Sequence, residues 1–261
     1  MRNLLRGRGQ QLLTAFLLGL ILALLATGQV VKAQAPEGEE AVVPLPRRAN
    51  MTGFDISWPQ CGGWYPFDPI GFGIVGVTGG RAFTENPCLA SQWEWANRGD
   101  YPAEVYINVD YWRTTSYHQF FGPAGLCSPH DVMCRAYNYG WNTARHAVEY
   151  GRSQGVDATR WWLDVETMNY WSPDKQANAR VIAGAIDYLQ GEGLGVGVYS
   201  TPYQWGVIAG DFAPGLPVWT AGALNLYDAA SRCGNPRYAF GGGHIELVQW
   251  VEGYDRNYAC Q

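Results

Sequence analysis

Two carboxylates close one apolar run, Trp161-Trp162-Leu163-Asp164-Val165-Glu166, at a spacing that lets them work as a pair. The run reads as a buried β-strand, and strand side chains alternate faces, so Asp164 and Glu166 share one face. Same-face neighbours lie about two rises of 3.3 Å apart, which puts the carboxyls roughly 5–7 Å from one another. In a dry site two such groups do not both ionise comfortably, and their pKa values split into one proton donor and one anion. Acid-catalysed cleavage of a glycosidic bond requires that division of roles. The plain alternative for an Asp-x-Glu is a solvated acidic strand end, so the rest of the chain must decide between them.

The elements that would position the pair alternate in type. Strands are predicted at 53–57, 72–78, 104–110, 161–166, 195–199, 217–221 and 245–250, with helices near 88–98, 135–154, 172–191 and 203–209. Ser172-Pro173 supplies an N-cap and a first-turn proline for the third helix, and Gly155 closes the second. After residue 209 the helical signals fade into Gly- and Asn-rich loops. Alternating strands and helices imply parallel βαβ units, and their number and the domain size suit an α/β fold of irregular TIM-type barrel form over an open sheet. In such barrels chemistry sits at the C-terminal strand ends. Asp55, Ser57, Thr78, Asn108, Asp110, Asp164, Glu166, Tyr199 and Gln249 all fall there. A core strand has no packing reason to end in a carboxylate, so their convergence favours a site.

Composition narrows the class. Arg2, Arg6 and Arg8 precede an apolar run from Leu12 to Thr27, and Ala33-Gln34-Ala35 offers a small-x-small cleavage point. Residues 1–35 read as a secretory signal, with an uncleaved N-terminal anchor as the alternative. Residues 36–50 read as a linker and 51–261 as one domain, secreted or associated with a cell wall. Without the first 35 residues Lys+Arg falls from 18 to 14 against 23 Asp+Glu, moving net charge from -5 to -9. That acidity argues against nucleic acid as a partner and against docking on anionic membranes beyond the signal or anchor. Six cysteines in an exported chain suggest disulfides and permit about 15 pairings, of which the nearest-neighbour set Cys61–Cys88, Cys127–Cys134 and Cys233–Cys260 is the expectation. No C-x-x-C occurs, the histidines are scattered and there is no nucleotide loop, so neither metal nor cofactor is expected. The 12 Trp and 16 Tyr serve a large core, or stack on the apolar faces of sugar rings, or both. A monomer is expected.

From about Gly53 to Ala259 the chain resembles the glycoside hydrolase family 25 lysozymes. Gly53-Phe54-Asp55-Ile56-Ser57 is similar to the family's opening strand, and Leu163-Asp164-Val165-Glu166 to its central one. Gly197 through Trp205, Pro217 through Ala221, and Val248-Gln249-Trp250 with Tyr254-Asp255-Arg256-Asn257 resemble its later motifs in the same order. The resemblance implies a barrel of about five β/α units followed by three strands, and hydrolysis of a cell-wall polysaccharide such as peptidoglycan at a β-1,4-N-acetylmuramic linkage. It makes Glu166 the general acid and Asp164 the carboxylate that orients the substrate's N-acetyl group. Asp55 and Asp255 become flanking acids, Tyr199 and Gln249 hydrogen-bonding residues of the cleft, and Asp110 and Trp250 further substrate contacts. Asp255 also reads as an ordinary loop aspartate beside an Asn turn. Two departures stand out. Gly76-Val77-Thr78-Gly79-Gly80 replaces a family K-A-T-E-G segment, and Asn108-Val109-Asp110 replaces an aromatic–His strand end. They leave two alternatives open: a non-catalytic carbohydrate-binding protein on the same barrel, and a hydrolase of another polysaccharide.

Overall fold

The computed structural model of the chain describes residues 50–67, 71–111 and 117–260. The predicted signal, and the linker up to residue 49, lie outside them. Eight strands close into a barrel: β1 Thr52–Ile56, β2 Phe72–Gly76, β3 Glu104–Asn108, β4 Arg160–Asp164, β5 Gly195–Ser200, β6 Val218–Ala223, β7 Ile245–Glu252 and β8 Tyr254–Ala259. Strands β1 to β7 run parallel to their neighbours, whereas β8 pairs antiparallel with both β7 and β1. The reversal is made by a tight turn at Gly253, whose φ of 74° suits glycine. The sequence reading did not assign β8 as a strand of its own, because Asp, Arg and Asn interrupt its apolar residues.

Five α-helices flank the barrel: α1 Leu89–Ala96, α2 Val132–Ser153, α3 Lys175–Gly191, α4 Pro202–Ile208 and α5 Leu226–Arg232. They follow β2 to β6 in turn. Among the described residues, β1 leads to β2 through a 3₁₀ turn at Trp58–Gln60 and a loop with no α-helix. Helix α3 starts later than expected. Asp174 is its N-cap and accepts from Gln176 N and Ala177 N, while Ser172 Oγ accepts from Asp174 N one step earlier, so Pro173 precedes the cap. A carboxylate at the cap satisfies two orphan amides where a serine would meet one.

Period-two alternation sorts the strand side chains into two cores. Phe54, Val75, Ile107, Leu163, Val198, Val218 and Val248 face outward under the helices. Phe72, Ile74, Trp162, Trp219, Leu247 and Ala259 fill the barrel's interior. Space for the Trp162 ring comes from the neighbouring strand: a Cβ on Gly197 would sit 2.2 Å from it. With apolar rings plugging the lower barrel, the polar residues at the upper strand ends are the ones left to meet solvent. Three disulfides form in the nearest-neighbour pattern. They tie the loop after β1 to the start of α1, the loop after β3 to α2, and the end of α5 to the end of β8.

Candidate active site

Three strand ends bring four carboxyls to one pocket of about 140 Å³, lined by Asp55, Tyr106, Asp164, Glu166, Tyr199, Trp219, Gln249 and Asp255. The β4 ladder ends at Asp164, yet Val165 N donates to Tyr199 O and Ser200 Oγ donates to Val165 O. These bonds keep the chain extended for one residue more, so Glu166 stays on the face of Asp164. Asp55 and Asp255 face each other as Cα partners in the β1–β8 pairing. The antiparallel turn at Gly253 is what returns Asp255 to that position.

Asp164 is buried and Glu166 is half-buried. Asp164 Oδ2 accepts from Asn108 Nδ2. Its Oδ1 is buried with no N–H donor in reach. The group beside it is the Glu166 carboxyl, and the two side chains can bond only if one of them holds a proton. Burial, and then the Glu166 charge, lift the Asp164 carboxyl well above its ordinary value. Glu166 is also raised by burial, against a lowering contact from Gln204, whose Nε2 lies 3.5 Å from Oε1. Gln204 is fixed in turn because its Oε1 accepts from Thr167 N at 2.6 Å and Thr167 Oγ1 at 2.9 Å.

A second network holds Asp55. Gln249 Nε2 and Asn257 Nδ2 both donate to Asp55 Oδ2, at 3.0 and 2.7 Å. Tyr199 OH donates to Gln249 Oε1 at 2.7 Å, and Trp219 Nε1 donates to Asn257 Oδ1 at 2.8 Å, which fixes both amide orientations. Even with two donors, burial and then the neighbouring Asp255 push Asp55 up to about 7. Burial raises Asp255 as well. Crowded, partly dry acids that burial raises together are the electrostatic signature of an acid–base site.

Six of the eight predicted catalytic and substrate residues thus meet in one pocket. The other two do not line it. Asp110 accepts from Tyr139 OH at 2.6 Å and Ala82 N at 3.3 Å, so both its oxygens anchor α2 and the loop after β2. Trp250 follows the inward-facing Gln249, so alternation turns it into the outer core, where 2% of it is exposed and its indole N–H donates to Glu252 Oε2. Tyr106, Trp219, Asn257 and Gln204 were not read as site residues. Tyr106 was findable, since it lies two before Asn108 on the same strand face.

A sequence profile described as "Lysozyme-like protein 1" matches residues 132–226, a stretch that contains both Asp164 and Glu166. The chain resembles the family 25 lysozymes. It is 40% identical over 62 residues to the probable GH family 25 lysozyme 4 of Dictyostelium discoideum, covering 23% of this chain and 29% of that protein. Against the probable GH family 25 lysozyme 2 of the same organism it is 29% identical, over 41% of this chain and 46% of the other. The chain therefore spans less than half the length of these relatives. Among solved structures, a muramidase from Acremonium alcalophilum aligns with 81% of this chain and 93% of its own at 18% identity and a TM-score of 0.47. Likeness at that level transfers no residue role. The low identities fit a divergent branch.

Proposed function

We propose that this protein is an exported glycoside hydrolase that cleaves cell-wall glycan, in the manner of a peptidoglycan β-1,4-N-acetylmuramidase. The observation that carries the reading is the pocket itself: Asp55, Asp164, Glu166 and Asp255 at one barrel mouth, with no cation lining it. Asp164 and Glu166 line that pocket together, and burial, then the Glu166 charge, holds the Asp164 carboxyl well above its ordinary value. Glu166, the more exposed of the pair, is the acid that reaches the leaving oxygen. Asp164, deeper and amide-bound, orients the substrate's N-acetyl group, whose carbonyl oxygen attacks the anomeric carbon as the glycosidic bond breaks. Water then opens the resulting oxazolinium ion and returns its proton to Glu166. Asp55 and Asp255 are the flanking acids, which tune the pKa of the pair and hold the substrate. Three disulfides support an oxidising location outside the cytosol.

Release of reducing ends from purified peptidoglycan tests the proposal. Glu166→Gln keeps the shape and removes the acid, so turnover should fall by at least about a hundredfold with the fold unchanged. Mass analysis of the products names the bond. Undiminished release by Glu166→Gln would refute the assignment. Glycan retention by both proteins with no release by either would support the non-catalytic reading.

A further inference from the structure

One chain of buried polar groups lies behind the acid pair, and its Asn108 falls in one of the chain's departures from family 25. Thr78 Oγ1 accepts from Asn108 N at 3.0 Å. Its own proton therefore goes to Asn108 Oδ1, 2.6 Å away. With Oδ1 taken, Asn108 presents Nδ2 to Asp164 Oδ2. Thr78, Asn108 and Asp164 are all buried, and Asn108 and Asp164 are Cα partners across β3 and β4. The bonds run in one direction, from Thr78 through Asn108 to Asp164, whose Oδ1 is buried and lacks a donor.

We propose that Asn108, oriented by Thr78, is a positioning residue that commits one oxygen of Asp164 to an amide and leaves the other to the proton shared with Glu166. An asparagine serves this purpose because its amide donates without a charge of its own; a lysine there would ionise Asp164 outright and empty the shared bond of its proton. Burial apart, the charges that oppose ionisation of Asp164 are those of Glu166 and then Asp55 from β1, while Tyr106 from β3, Tyr199 from β5 and Asp255 from β8 line the same pocket. The Asn108 amide is thus the contact that makes the Asp164 anion accessible, and with it the transfer of the proton to Glu166. The consequence for turnover rests on the hydrolase reading above. The arrangement of side chains does not.

Titration of the Asp164 carboxyl carbon by NMR in ¹³C-labelled full-length protein, with Asp164→Asn to assign the signal, tests this independently of activity. Asn108→Leu should raise the midpoint by about one pH unit, since a hydrogen bond to the anion is lost. Thr78→Val, which keeps the shape and guards against a folding failure of the first variant, should raise it by less, and Thr78→Ser should restore it. An unchanged or lowered midpoint in both Asn108→Leu and Thr78→Val would overturn the proposal. In peptidoglycan hydrolysis the acid limb of kcat should move to higher pH in Thr78→Val with KM unchanged. A wild type that hydrolyses nothing while the titration shifts as expected would sink the hydrolase reading and leave the positioning role standing.

Discussion

Asp55 shows at the residue scale how a site trades stability for chemistry. An aspartate in an unfolded chain titrates near 3.9, whereas burial and the adjacent Asp255 push this one up to about 7. Between those values the folded protein binds the extra proton, so the stability tied to this group is fully present below about pH 4 and is lost as pH rises through 7. Asp55→Asn removes the charge and still offers an oxygen to Gln249 and Asn257. We expect the variant to be more stable than wild type at pH 8, by on the order of 2 kcal/mol, with a flatter melting profile between pH 4 and 7. Thermal unfolding across that range checks it; a parallel, equally steep decline in the variant would show that Asp55 is not the group responsible.

Among the elements, α2 and α3 meet at the closest approach of the outer layer. A Cβ on Gly140 would lie 1.8 Å from Val181 O, and one on Gly184 would lie 2.2 Å from Tyr137 O. Backbone rests on backbone there, so the two glycines set the helix separation. Helix propensity alone would reward Gly140→Ala by about 1 kcal/mol. The clash should outweigh it and leave a net loss of about 2 kcal/mol in urea unfolding, and a stabilised variant would contradict the packing argument. How far elements could be read also depended on their contacts. Helices α2 and α3 are long enough to announce themselves by pattern, but α5 spans seven residues, too few for its pattern to stand out from the loops around it. Strand β8 hid because Asp255 and Asn257 face a polar pocket, so its inward positions are not apolar.

For the whole molecule, the Cys233–Cys260 bond joins α5 to the last barrel strand across a separation of 27 residues. Replacing both cysteines by alanine should cost about 3–4 kcal/mol, mostly by freeing the unfolded chain. Molecules that remain folded should keep the proposed hydrolysis, since neither cysteine lines the pocket. Chemical denaturation and peptidoglycan turnover at a permissive temperature measure the two effects separately. Loss of specific activity in the folded fraction would mean that the bond also shapes the site.

The amino-acid sequence by itself determined the alternation of strands and helices and the placing of Asp55, Asp164, Glu166 and Tyr199 near strand ends. Those properties are local, set by period-two alternation and by short-range turn and cap chemistry. Only the tertiary structure decided which polar residues meet. Asp255 joins the pocket because β8 turns back antiparallel beside β1, a pairing across about 200 residues. Asp110 leaves it because Tyr139 and Ala82, from two other elements, occupy its oxygens. The environment of the acid pair is likewise a tertiary property. It depends on burial and on an amide held by a threonine 30 residues away, and no stretch of sequence encodes the dielectric that surrounds them.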